Sequence, residues 1–108
     1  MDGSTPKLTS ALSALTLIRG AATRLDWGAL YNPNASVVFL QLFDAVKTAD
    51  VTLGTTAPTL SIPLPASSVL NLSDIKCRFL LGVCAAATTT ATGSTAPGSA
   101  IVANLGLR

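Results

Sequence analysis

The chain contains no histidine and no glutamate, and only 11% of its 108 residues are charged. Without histidine, imidazole-based acid–base and nucleophilic mechanisms are excluded. The common metal-ligand sets need His or several Cys, and the two cysteines present, Cys77 and Cys84, do not make one. All five acidic residues are aspartates. Asp26, Asp44, Asp50 and Asp74 could supply the carboxylate pair of a glycosidase. Each falls at a strand end or in a loop, where Asp serves turn formation, so no enzyme is expected. Long apolar runs are missing as well. The longest clean stretch, residues 79–87, is far short of the ~18–20 residues of a spanning helix. Phosphate-loop, nucleophile-elbow, CxxC and dinucleotide fingerprints are absent, and no metal or cofactor is expected.

What is present is apolar. Hydrophobic residues make up 49% of the chain, the net charge is +2 and the mean hydropathy is +0.56. The length supports one domain, and the composition is the opposite of that of a disordered chain. Such a domain covers its surface with Ser, Thr, Asn and Ala, and its few charges protect it weakly against self-association. A subunit of an assembly is therefore expected. The seven basic residues form no stripe. Lys76 and Arg78 share a face, and Arg19 and Arg24 are close in sequence, but interleaved aromatics are lacking and no nucleic acid is expected as partner. Lys7, the following LTSALSALTLI and the GAA at 20–22 have the outline of an export signal, but Asp2, Arg19 and the interspersed Ser and Thr argue against one.

Past a polar arm, the pattern reads as short strands. Leu8, Leu12 and Leu15 have helical spacing while residues 14–18 alternate weakly, so the first element is ambiguous. Residues 23–31 alternate with Leu25, Trp27 and Tyr31 on one face, and the turn formers Asn32–Ser36 lead into a strand at 37–43. Residues 44–56 read as a polar connection with room for one helical turn. Residues 59–64 point Leu60, Ile62 and Leu64 inward, and Pro63 and Pro65 confine that strand to a sheet edge. Leu70 and Leu72 point inward from a short strand at 69–72. Gly82 breaks the apolar segment 75–90 at a bulge or a close contact. Residues 100–107 place Ile101, Ala103, Leu105 and Leu107 on one face of a last strand. Seven or eight such strands, with turns about every ten residues, predict an all-β, antiparallel sandwich of jelly-roll type. Residues 1–14 form an N-terminal arm or first short element, and 15–108 the single domain.

The expected core comprises Leu25, Trp27, Tyr31, Phe39, Phe43, Leu60, Ile62, Leu70, Phe79, Leu81, Ile101 and Leu105. Cys77 and Cys84 are an odd number of positions apart. On one strand they face opposite ways about 23 Å apart, which predicts free thiols. The strand 37–43 is apolar on both faces, so something beyond the core must cover it. Val38, Leu40 and Leu42 are the expected assembly seam, with the Leu80 side of the segment 75–90 as a second contact. In the alternative reading, Trp27 and Tyr31 form a sugar-stacking platform flanked by Asp26 and Asn32.

The order of these segments resembles a known family. The run Leu30–Ser36, followed by Val37-Val38-Phe39-Leu40-Gln41-Leu42-Phe43-Asp44-Ala45, is similar to small β-rich virion proteins of tailed bacteriophages. In those, a YN-x-NAS turn and a V-x-LFD strand precede a TP-x-L-x-IPLPA segment, here residues 57–66. Residues 79–83, 86–93 and 100–107 match the family's later strand, Thr-rich loop and final strand, although this final strand lacks the family's aromatic residue. The resemblance covers residues 15–108. It implies a non-enzymatic capsid decoration (cement) protein on the outer surface of the head, in contact with the major capsid protein and assembled in the host bacterial cytoplasm. It also implies a homo-oligomer, a trimer before a dimer, and no membrane partner. The alternatives are a glycan- or receptor-binding module of a head or tail fibre, and a tail or neck structural protein.

Overall fold

Short strands separated by turns organise the chain. The computed structural model describes residues 5–108. The strands are β1 (Thr5–Leu12), β2 (Thr16–Arg19), β3 (Thr23–Asn32), β4 (Val38–Asp44), β5 (Leu60–Leu64), β6 (Ser68–Leu72), β7 (Cys77–Phe79), β8 (Val83–Thr88) and β9 (Ile101–Leu107). One 3-10 turn, Thr48–Asp50, lies in the polar connection where a single helical turn is expected. All pairings are antiparallel. One sheet runs β1-β9-β3-β6, with β7 beside the first half of β3, and the other runs β2-β8-β4-β5. The pairing is nested: β1 with β9, β2 with β8, β3 with β6 and β4 with β5. This is jelly-roll order, a folded-over ribbon wrapped into two facing sheets. The segment 1–14 contributes β1 and so belongs to the first sheet; residues 1–4 of the expected arm lie outside the described residues.

The core lies between the sheets. Ile101, Ala103, Leu105 and Leu107 of β9 meet Leu25, Leu30, Phe79, Val83 and Ala85, all buried. Leu60, Ile62, Leu70 and Leu72 pack at its margin from β5 and β6, with Leu64 fully buried. Pro63 sits on edge strand β5, where a missing N–H costs no ladder hydrogen bond.

Two expected faces are reversed. In β3, Leu25 pairs with Leu107 and Trp27 with Gly106, so Asp26 is the extra residue of a β-bulge. The bulge shifts the alternation by one. Leu30 and Asn32 then point into the core, whereas Trp27 and Tyr31, expected inside, lie on the outer face. Trp27 is half-buried and Tyr31 is 43% exposed. In β4, Val38, Leu40 and Leu42 are at most 1% exposed and form part of the inter-sheet core. They are not available as an assembly seam. The opposite face of β4 is covered by the chain itself. Phe43 is buried with Ala45, Val51 and Cys84, and the Gln41 amide donates to the Thr88 hydroxyl at 2.6 Å and to the Gly93 carbonyl at 3.0 Å. Phe39 is only half-buried, and Leu81, expected in the core, is 56% exposed.

Cys77 and Cys84 are free thiols on different sheets, the first half-buried and the second buried. The turn after Phe79 separates them, so they never share one strand. Burial raises both thiol pKa values, helped by Asp44 for Cys77 and by Asp50 for Cys84.

Candidate functional site

Two surface features stand out, and both arise from how loops meet the sheets. The first is the turn between β7 and β8. Asp44, the last residue of β4, turns its carboxylate toward this turn and accepts three backbone N–H groups: Leu80 at 2.9 Å, Leu81 at 2.7 Å and Gly82 at 3.3 Å. Burial alone would raise the Asp44 pKa, but the three donors outweigh it and hold the carboxyl below its ordinary value. Ala45 N–H in turn donates to the Gly82 carbonyl at 3.2 Å. A Cβ on Gly82 would come within 2.5 Å of the Arg19 carbonyl and 2.7 Å of the Ala45 carbonyl, so only glycine fits. Three backbone segments thus lock together, and Leu80 and Leu81 are held outward, 70% and 56% exposed. Leu17 and Val46, both about 40% exposed, each lie near Gly20, Leu17 with its side chain and Val46 with its backbone carbonyl. Of the four expected seam residues, only Leu80 lies at the surface.

The second feature is a cleft of about 540 Å³ on the outer side of β3. Trp27 forms one wall. Its indole lies directly against Gly106, where a methyl group would overlap the ring. Arg24, Asp26 and Arg108 continue the lining, and Ser73, Asp74 and Lys76 close it from the loop after β6. Asp26 accepts the Arg24 guanidinium in an ion pair. That loop is pinned by Ile75 N–H donating to the Asp26 carbonyl at 3.0 Å. On either side of Ile75, Asp74 and Lys76 take left-handed backbone, with φ of 53° and 51°.

Register explains the charge of this cleft. Arg24 stands opposite Arg78 of β7, and on its other side exchanges both backbone hydrogen bonds with Arg108, at 2.9 and 3.0 Å. A row Arg108–Arg24–Arg78 therefore crosses three neighbouring strand positions. Of these, Arg24 and Arg108 line the cleft together with Lys76, while Arg78 stands beside Arg24 outside it. The sequence shows them as scattered, because adjacency depends on pairing between distant segments.

The expected glycan platform is divided by the same geometry. Trp27 and Asp26 line the cleft; Tyr31 and Asn32 do not. Asn32 is fully buried and structural. Its amide donates to the Ser36, Leu64 and Pro65 carbonyls, each at 3.1 Å, and its oxygen accepts the Asn34 N–H at 2.9 Å. Tyr31 lies farther along the outer face between Val69 and Val102.

Among the described residues the four aspartates fall into two pairs of neighbours, Asp26 with Asp74 in the cleft, and Asp44 with Asp50 in a cavity of about 350 Å³ beside Leu81. In each pair one carboxylate is already engaged, Asp26 by Arg24 and Asp44 by backbone amides. The lowered Asp44 pKa is the reverse of what a general acid requires. Among the described residues no group of three or more His, Cys, Asp or Glu could hold a metal ion, and no helix is long and apolar enough to cross a membrane. Comparison with models of protein families, with curated proteins and with solved structures finds no match to this chain in any of the three.

Proposed function

We propose that this chain is a non-enzymatic virion protein of a tailed bacteriophage, a decoration protein that docks on the outer surface of the head through the Leu80–Leu81 turn. The observation that carries the proposal is the fastening of that turn. An apolar pair left to itself folds toward the core; here an ionised carboxylate and a glycine-only contact keep two leucines in water. Leaving two leucine side chains in water forgoes about 1.5–3 kcal/mol each, which a partner surface recovers on contact. The jelly-roll topology, the low charge and the resemblance of residues 15–108 to virion proteins support the same reading. The partner is the major capsid protein, and the protein is assembled in the host cytoplasm and carried on the virion.

With Val38, Leu40 and Leu42 enclosed, Leu80 is the expected seam residue that remains exposed, and self-association is assigned to its side of the molecule. A homotrimer remains the proposed form, by analogy with decoration proteins at threefold positions, with a dimer next. A stable contact needs about 800 Å² from each partner, more than Leu80 and Leu81 alone supply, so Leu17 and Val46 are included in the proposed footprint.

Electron cryomicroscopy of the source particle tests the assignment directly. Density for a jelly roll on the head, with Leu80 and Leu81 against the capsid protein, is expected. Its presence only in the tail or neck, or its absence from the particle, overturns the proposal. In co-sedimentation with heads lacking the protein, Leu80→Asn should abolish binding.

A further inference from the structure

The cleft at Trp27 has a different character from the leucine turn. Arg24, Arg108 and Lys76 line the cleft together, and Arg78, outside the lining, flanks Arg24 from β7. Like charges directly across a sheet destabilise it. The three lining cations outnumber the two lining aspartates, Asp26 and Asp74, by one, and Arg78 adds a further positive charge beside Arg24. A second observation is backbone strain. Left-handed φ is unfavourable at non-glycine residues, and both Asp74 and Lys76 lie on the cleft wall. The third is the indole, which backs onto Gly106 and also lines the cleft.

We propose that this cleft binds a carboxylated saccharide, with Trp27 carrying the apolar face of a sugar ring and Arg24, Arg108 and Lys76 holding its carboxylate. Guanidinium groups match a planar carboxylate two bonds at a time, a geometry that ammonium groups do not offer. Aromatic faces pack on the C–H face of a pyranose, and the volume of about 540 Å³ lies within the range of small-ligand sites. The two aspartates and Ser73 set the class of anion. They offer acceptors to sugar hydroxyl groups, and their negative charge disfavours a dianionic phosphate or the dense charge of a nucleic acid. The inference does not rest on attachment to a capsid, because the site is complete within one chain.

Trp27 is the only tryptophan, so its fluorescence reports occupancy of the cleft without a label. The isolated full chain is titrated with trigalacturonate, maltotriose, inorganic phosphate and a single-stranded oligonucleotide. A saturable emission change with trigalacturonate, and none with maltotriose or phosphate, is expected. Arg108→Gln and Lys76→Gly should each weaken trigalacturonate about tenfold with an unchanged circular dichroism spectrum. The glycine substitution suits the left-handed backbone at Lys76, so its effect is not one of misfolding. Three results overturn the inference: no saturable change with trigalacturonate, maltotriose binding as tightly, or an oligonucleotide or phosphate binding more tightly. Equal affinity in wild type and both variants also overturns it. None of these bears on binding to heads, so the two proposals fail separately.

Discussion

The Asp44 carboxylate lies 2.7 Å from the backbone N–H of Leu81, so the turn bearing two exposed leucines is tied to the end of β4 by an ionised side chain. This bond and its neighbours to Leu80 and Gly82 place a charge dependence under an apolar feature.

Asp44→Asn should therefore destabilise the fold by about 1–2 kcal/mol, toward the lower end for a hydrogen-bonded charge because the group is partly in water. The pH dependence follows from the direction of the shift. The folded-state pKa is depressed, so the unfolded chain binds the proton more readily; this stabilisation is complete above the unfolded pKa of about 4 and is lost as pH falls through the folded value. Urea unfolding at pH 7 and pH 3 checks this, and Asp44→Asn should show a smaller loss between them than wild type.

Two leucine-to-lysine changes should behave in opposite ways. Leu40→Lys puts an unpaired ammonium into a site with no exposed surface and should unfold the domain. Leu80→Lys should leave stability within about 0.5 kcal/mol of wild type and remove head binding. Thermal melts followed by co-sedimentation separate the two effects.

Gly106→Ala should drive a methyl group into the indole of Trp27. Displacement of the ring should cost about 1–3 kcal/mol and shift the tryptophan emission to longer wavelength. An unchanged spectrum would mean that the indole does not rest on β9.

Asn32→Ala should cost at least about 2 kcal/mol, because three carbonyl groups lose their donor and the Asn34 N–H loses its acceptor. Asn32→Asp should be worse, since it turns acceptor oxygens toward the same carbonyls. Chemical denaturation midpoints decide both.

The sandwich was legible because the period-two signal is strong where one face is polar: β9 and the Leu60–Ile62–Leu64 side of β5 are placed as alternation alone predicts. It failed where that contrast is missing. β4 is apolar on both faces, so alternation could not say which side met the other sheet, and Phe39 and Leu40 exchange roles. In β3 the phase slips at Asp26. The signal was present, since Leu25 and Leu30 are both aliphatic yet fall on positions of opposite parity. Leu81 lies in the turn between β7 and β8, where alternation does not apply, and Gly82 is the mark of that turn in the sequence. The arginine row was beyond reach of the sequence. Arg24, Arg78 and Arg108 become neighbours only through the registers of β3 with β7 and with the end of β9.

That row also determines how the molecule travels. Besides the row, Lys76, Asp26 and Asp74, the described residues carry three cations, Lys7, Arg19 and Lys47, and two carboxylates, Asp44 and Asp50, so positive charge is concentrated along the row. Near a negatively charged surface such a body experiences a torque as well as a pull, over roughly 10 Å at physiological ionic strength. It arrives with the Trp27 side leading, and the orientation of first encounter is chosen before any side chain touches. Added salt, by shortening that range, should slow the encounter while leaving the leucine contacts unaffected.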